Sequence, residues 1–235
     1  TYKKLYRPSR LVVSYVGGVD LKTITRFAEK YFGQNTEKEQ DAIAKNPFVP
    51  RGTNFNIVKN KKTHQAHCVL GSYAPALSSE LKFAASLLTN ILGGPSFNAL
   101  LNLKLREEQG LTYNIEANYT AYSDTGVFAV YFGTDYSKVP LCRQIIDDLF
   151  QSVIEKGFEE QQLAAYKQQI LGQLAVSDDN YMSLMLNNAK SFWWYGHVDS
   201  FQEIAQKINA ISNDEIKTVA KQILSPEKIN VRIYK

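Results

Sequence analysis

Hydrophobic positions along this chain recur first with the period of strands and later with the period of helices. Residues 113–121 alternate, with the odd-numbered positions on one face and polar residues on the other. Further strands are predicted at 55–58, 65–73, 127–133 and 229–234, and helices from Ser78 or Ser79 to 92, then at 97–108, 138–156, 159–177, 180–195, 200–209 and 213–223. Strands followed by helices predict an α+β fold, with helices packed on one face of a largely antiparallel sheet.

The same patterns divide the chain into three regions. Residues 1–33 predict a helix end stopped by Pro8, a strand at 11–16 and a helix at 21–32 ended by Gly33. Residues 34–55 are polar and contain two prolines, so we predict a linker. Residues 56–235 form the predicted main domain. Ser-x-x-Glu patterns at Ser200 and Ser212 predict capping boxes within it.

The two ends of the chain resemble each other. When Pro8 is placed over Pro226, residues 11–15 fall on 229–233, a period of 226 − 8 = 218 residues. Any helix–proline–strand unit can be laid on another, so the pattern leaves both repeat and coincidence open. A real repeat would make residues 1–33 the closing segment of a preceding copy, with roughly 190 residues of that copy upstream. The start at Thr1 fits a fragment or a processed chain.

Composition narrows the class of protein. The 235 residues, 44% hydrophobic and 21% charged, are typical of a globular chain with a sizeable core. A net charge of +4, with only a short lysine cluster at 59–62, predicts no nucleic-acid surface, and no apolar run reaches membrane-spanning length. We predict that Cys68 and Cys142 are buried thiols rather than a disulfide.

The histidines give little support for a metal site in this chain. In a strand, the spacing of His64 and His67 puts their rings on opposite faces, and no acidic partner follows. A helix would suit that spacing, but the residues that follow favour a strand. We predict that His197 caps or packs a helix end. The motifs H-x-x-E-H and H-E-x-x-H are absent from the sequence, so we predict neither metal ligands nor a self-sufficient catalytic constellation.

Arg106 and Tyr113 are the strongest candidates for chemistry. Arg106 ends the predicted helix 97–108, Gly110 breaks it, and Tyr113 starts the next strand. Such a corner can bring two side chains together. A guanidinium suits a carbonyl or carboxylate, and a phenol can donate to a developing oxyanion. A surface arginine and a half-buried tyrosine would explain the same spacing, and spacing alone favours that explanation.

A family resemblance adds to this picture. The strings Ile91-Leu92-Gly93-Gly94, Leu105-Arg106-Glu107 and Gly110-Leu111-x-Tyr113 resemble the C-terminal, non-zinc half of the M16 (insulinase/pitrilysin-like) metallopeptidases, of the bacterial type. Tyr6-x-Pro8 resembles the segment that closes the family's first half, and Thr125-Gly126-x-Phe128 the hairpin after the tyrosine. The resemblance implies two related α+β halves facing each other. The first holds zinc on H-x-x-E-H, and the second supplies an arginine and a tyrosine, here Arg106 and Tyr113.

The resemblance therefore implies the second half of a zinc metalloendopeptidase that is inactive alone. Its partners would be a zinc-bearing half, fused or separate, and a peptide substrate, with no cofactor in this chain. Because fold does not fix function, a non-catalytic scaffold or binding subunit is the alternative. Many family members carry Ser-Arg shortly before Leu-Arg-Glu, where this chain has Ala99-Leu100. That difference leaves the Arg106 and Tyr113 pair intact.

Overall fold

The computed structural model of the chain describes Tyr6 and residues 10–33 and 54–235. Contacts divide the chain into two units. The smaller unit contains Thr1–Lys45 and Leu171–Gln206, and the sheet unit contains Asn46–Ile170 and Lys207–Lys235. Most of the predicted linker, and the predicted helix end before Pro8, lie outside the described residues. The predicted domain boundaries stay a prediction.

One five-stranded sheet organises the sheet unit. Its order is β1-β5-β2-β4-β3, with β1 and β5 parallel and the remaining pairs antiparallel. The strands are β1 Asn56–Lys59, β2 Ala66–Ala74, β3 Asn114–Ala121, β4 Gly126–Thr134 and β5 Asn230–Tyr234. Each lies within three residues of its predicted position. The α+β prediction is confirmed, and β3 forms one edge of the sheet.

The helices also follow the predicted pattern closely. They are α1 Leu21–Phe32, α2 Lys82–Gly93, α3 Val139–Lys156, α4 Glu160–Asp178, α5 Tyr181–Tyr195, α6 Phe201–Ala210 and α7 Asn213–Leu224, with a π-helix at Asn102–Glu107 and a 3₁₀ turn at Tyr136–Lys138. Ser212 and Glu215 form the predicted capping box of α7. Ser200 and Glu203 exchange the same two bonds before α6.

Among the described residues of the sheet unit, helices pack on one face of the sheet and none packs on the other, which is called the open face. Helix α2 packs on β3, α7 packs on β2, and α3 packs on α7. Ser72 of β2 donates a 2.6 Å hydrogen bond to the carbonyl of Ile223 in α7. Phe128 of β4 lies 6.2 Å from Phe150 of α3, centroid to centroid, and both rings are buried. The core therefore lies between this face and its helices, as predicted.

Two predicted helix starts are wrong. Helix α2 begins at Lys82, because the Ser79 hydroxyl accepts a hydrogen bond from the Leu81 amide and closes a turn before the helix. The predicted helix 97–108 begins later and is mainly the π-helix. Asn98 instead donates to Gln169 over 2.6 Å, and the side-chain amide of Asn102 donates to the carbonyl of Phe97. Polar side chains thus compete with the first helical turn.

The strand predicted at 11–16 does not form in the smaller unit. These residues are assigned no strand, and Leu11, Val13 and Tyr15 are exposed. The segment lines a shallow pocket together with Asn188 and Phe192 of α5. A strand requires a neighbouring strand for its hydrogen bonds, and the described residues provide none here. The run at 11–16 is mostly apolar, as in a buried strand, but it has no pairing partner in the described chain.

Two further features bear on the predictions. Cys68 and Cys142 are buried free thiols, as predicted. Gly93 ends α2 against β3, where an added Cβ would lie 2.5 Å from the Ala117 amide nitrogen. Only glycine permits this close approach. None of the described helices is long and apolar enough to cross a membrane.

Candidate functional site

The candidate site is the corner that joins the π-helix to β3. Leu105 is fully buried and anchors the helix end. The Gly110 amide donates to the Arg106 carbonyl over 3.0 Å, and the Leu111 amide donates to the Leu105 carbonyl over 2.8 Å. Gly110 has φ +58°, a conformation that glycine adopts without strain. A π-helix is uncommon and frequently marks functional sites, so its position beside this corner is notable.

Two buried threonines fasten the corner to the end of β4. Thr112 donates its hydroxyl to the Gly133 carbonyl over 2.5 Å. Thr134 returns a 2.6 Å hydrogen bond to the Leu111 carbonyl. Both side chains are buried, so water competes little for these bonds. The backbone on the N-terminal side of Tyr113 is therefore held in place from two directions.

Tyr113 projects from this fixed backbone into solvent. Its residue surface is 88% exposed, and its hydroxyl forms no hydrogen bond with another described residue. Lys138 lies close enough for its charge to interact with the Tyr113 side chain. The pKa of Lys138 is raised by its hydrogen bond and ion pair with Asp135 at 2.8 Å, and to a smaller extent by Tyr113. Tyr113 precedes β3 and is not the half-buried tyrosine of the alternative explanation.

Arg106 also presents its functional group to solvent. Its side chain is 46% exposed, and its Nε lies 3.6 Å from an oxygen of the adjacent Glu107. Such a surface ion pair contributes little and leaves most guanidinium donors available. The neighbouring Lys104 is instead paired with Glu108 over 3.0 Å. The structure thus places Arg106 and Tyr113 at the two ends of one hydrogen-bonded corner, both accessible.

The histidines do not converge on a metal site in the part of the chain that the structure describes. His67 Nδ1 lies 2.9 Å from the Tyr131 hydroxyl, and His64 is exposed before β2 begins. His197 contacts the Tyr195 carbonyl at the end of α5, which fits the predicted capping role. Among the described residues, no three His, Cys, Asp or Glu side chains could hold a metal ion together. Zinc chemistry does not fit these residues.

Sequence reasoning missed the groups that support the site. Thr112 and Thr134 lie on no recognisable motif, because each bonds a carbonyl that becomes a neighbour only when β3 and β4 pair. Lys138 was likewise not singled out. A threonine near each end of the predicted hairpin was the one available signal, and threonine is a common residue in sheets.

Comparison with known proteins identifies the family of the chain. The family model described as the Peptidase M16 inactive domain matches residues 1–170. The uncharacterized zinc protease YmxG of Bacillus subtilis is 26% identical over 222 residues, which cover 94% of this chain and 53% of that protein. An uncharacterized zinc protease of Streptomyces coelicolor is 27% identical over 230 residues, covering 95% of this chain and 50% of that protein. This chain spans about half the length of these relatives.

Solved structures share the fold. A protease from Helicobacter pylori matches with a TM-score of 0.80 at 16% identity, over 94% of this chain and 53% of that one. A peptidase M16 inactive domain from Pseudomonas fluorescens gives a TM-score of 0.71 at 15% identity, over 80% of this chain and 44% of that one. A chain of complex III₂ from Candida albicans gives 0.76 at 17% identity, over 93% and 53%. The chain therefore belongs to the M16 metallopeptidase family, and within it to the inactive domain that forms the C-terminal half.

Proposed function

We propose that this chain is the substrate-binding second half of a zinc metalloendopeptidase. In this role Arg106 and Tyr113 bind the carbonyl oxygen of the peptide bond that is cleaved. The observation that carries the proposal is the exposure of both side chains on a corner whose backbone is fixed by buried hydrogen bonds. An exposed tyrosine without a hydrogen-bond partner among the described residues has no evident structural use, whereas a donor for a substrate needs this accessibility.

The chemistry follows from the two donors. Zinc, held by the other half of the enzyme, would supply an activated water that attacks the peptide carbonyl. Negative charge then grows on the carbonyl oxygen. The Tyr113 hydroxyl and the Arg106 guanidinium donate hydrogen bonds to that oxygen, and the arginine adds a positive charge. Loss of one such donor typically raises the barrier by about 3 kcal/mol, because preorganised donors need no rearrangement during the reaction.

A scaffold role is the second candidate. The same fold occurs in a chain of complex III₂ from Candida albicans, so a chain of this shape can be part of a large assembly. A scaffold subunit would not require the exposed Arg106 and Tyr113 side chains. The two candidates therefore differ in what happens when these side chains are removed.

The test is peptide cleavage by this chain assembled with a zinc-bearing half. We expect Tyr113→Phe and Arg106→Ala each to lower kcat/KM by about 100-fold, without a change in urea unfolding. Tyr122→Phe is the matched control, because Tyr122 is 51% exposed in the β3–β4 turn and outside the corner. Lys104→Ala serves the same purpose for Arg106. Unchanged activity in both corner variants would overturn the assigned roles, and a zinc-loaded assembly without peptidase activity would support the scaffold.

A further inference from the structure

The open face of the sheet carries a second candidate binding surface. On this face Val69 of β2 lies beside Arg232 of β5, while Tyr73 of β2 lies opposite Val127 of β4. Val69, Tyr73 and Val127 are all exposed apolar or aromatic side chains. A groove of about 230 Å³ runs here, lined by Phe55, Val69, Tyr73, Val127, Asn230 and Arg232.

Arg232 lies in the groove, but few of its hydrogen-bond donors have an acceptor among the described residues. Its guanidinium lies 5.7 Å from the Phe55 ring centroid and 5.9 Å from that of Tyr234. Its Nη1 makes one long hydrogen bond, 3.3 Å, to the Tyr234 hydroxyl. Its Nε is buried and has no acceptor among the described residues. A guanidinium has five donors, and leaving a buried one unpaired is costly. The Nη2 group is not enclosed in this way and forms no hydrogen bond with a described residue, so it is the donor that a ligand in the groove can reach.

The surroundings of Arg232 are positively charged. Lys59 of β1 pairs in register with Tyr234, and Lys61 follows the same strand. The pKa of the Tyr234 phenol is lowered, first by the hydrogen bond from Arg232 and then by the positive charges of Arg232, Lys59 and Lys61. In the described part of the chain, no carboxylate forms an ion pair with any of these three cations. The charge that would complement the surroundings of Arg232 is therefore negative.

We propose that this groove binds a carboxylate of an extended peptide, with Arg232 as the anchoring residue. The planar guanidinium fork matches a carboxylate, and the flanking rings and Val69 take the apolar neighbours of the acidic residue. The carboxylate is the side chain of an internal Asp or Glu, because the groove offers apolar contacts to residues beside it. The inference rests on the proposed function only in taking a peptide as the ligand. It assigns a preference for peptide segments with an internal acidic residue.

The test is direct binding of labelled hexapeptides to the 235-residue chain, followed by fluorescence anisotropy. One peptide has an internal Glu and an amidated C-terminus, the second has a free C-terminus and no acidic side chain, and the third has neither carboxylate. We expect the peptide with the internal Glu to bind at least 10-fold more tightly than the third. Tighter binding of the second peptide than of the first would overturn the assignment to an acidic side chain.

Variants separate the subsite from general charge. Arg232→Gln should weaken the preferred peptide at least 10-fold, and Arg232→Lys, which keeps the charge but loses the fork, should weaken it by an intermediate factor. Lys228→Gln is the control, since it removes one exposed positive charge near β5 but outside the groove. Equal binding of all three peptides, or equal losses in Arg232→Gln and Lys228→Gln, would overturn the proposal. The assay needs neither zinc nor cleavage, so it can succeed even if the roles of Arg106 and Tyr113 fail.

Discussion

The hydroxyl of Thr134, at the end of β4, donates a 2.6 Å hydrogen bond to the carbonyl of Leu111, two residues before Tyr113. Thr134→Val keeps the shape of the side chain and removes this donor from a buried position. We expect the free energy of unfolding to fall by about 1 to 2 kcal/mol, because a buried bond is lost. Urea denaturation measures this change.

Thr120→Val is the control for Thr134→Val. Thr120 lies on the exposed side of β3, where a β-branched replacement is well tolerated. Its free energy of unfolding should stay within about 0.5 kcal/mol of the original. If both variants were equally stable, the bond from Thr134 would not be what fixes the corner. In the assembled peptidase, Thr134→Val should also lower kcat, since Tyr113 would be held less firmly.

The contact between α2 and β3 gives a second prediction. Gly93→Ala places a Cβ within 2.5 Å of the Ala117 amide nitrogen and 2.8 Å of the Ala117 Cβ. Neither backbone can move away without separating the helix from the edge strand. We expect a loss of about 2 to 3 kcal/mol in urea unfolding, as for an overpacked core site.

Gly172→Ala is the same substitution at an uncrowded position, and its expected effect on stability is the opposite. Gly172 lies inside α4, and an added Cβ there would meet no atom within 4 Å. Alanine is the better helix former, so this variant should be more stable by about 0.5 to 1 kcal/mol. Equal effects of the two substitutions would contradict the close approach at Gly93.

The buried thiol of Cys68 predicts a loss of stability at high pH. Burial, with a smaller effect of nearby Cys142, raises the pKa of Cys68 to about 11. Unfolding restores an ordinary thiol pKa, so the unfolded chain loses this proton first as the pH rises. The stabilisation is complete below about pH 9 and disappears as the pH approaches 11. By pH 10 it should have fallen by about 1 kcal/mol.

The measurement for Cys68 is urea unfolding at pH 8 and pH 10, with Cys68→Ala as the comparison. The variant should lose less stability between the two pH values than the original chain. Alkylation of Cys68 at pH 8 should also be slow until the chain unfolds, since the thiolate is the reactive form. An identical pH dependence in both proteins would show that this thiol does not contribute.

Zinc titration gives the last prediction. We expect the isolated chain to retain less than one zinc ion per molecule after gel filtration, with no change when His67 is replaced by Gln. His67 is engaged with Tyr131, and His64 lies outside the strand. Stoichiometric zinc that disappears in His64→Gln or His67→Gln would establish a metal site at the start of β2.

Local sequence patterns predicted most of the helices and strands but less of how they pair and pack. Alternation identified β3, because Asn114, Glu116 and Asn118 face water while Ala117 is buried against α2. The position of β5 between β1 and β2 was not predictable, since it depends on strands separated by more than 150 residues. Arg106 and Tyr113 were singled out at a predicted helix–turn–strand corner, and the family resemblance then implied their roles. Their exposure and the hydrogen bonds of Thr112 and Thr134 could not be predicted, because they depend on how β3 pairs with β4.

The failure at 11–16 has a physical explanation of the same kind. Residues 11–16 are mostly apolar, as in a buried strand, yet pairing is a property of two segments and the pattern describes only one. The proposed repeat would supply a partner sheet in a preceding half. That relationship stays a prediction.

The placement of β5 between β1 and β2 has a consequence for biosynthesis. β1 is hydrogen-bonded only to β5 within the described sheet, and β5 contains residues 230–234. As the ribosome makes the chain, the hairpin of β3 and β4 can join β2 early, whereas β1 must wait until residues 230–234 have been made. The sheet therefore closes only after Tyr234 leaves the exit tunnel, and premature termination shortly before β5 would release a chain with two unpaired strand edges.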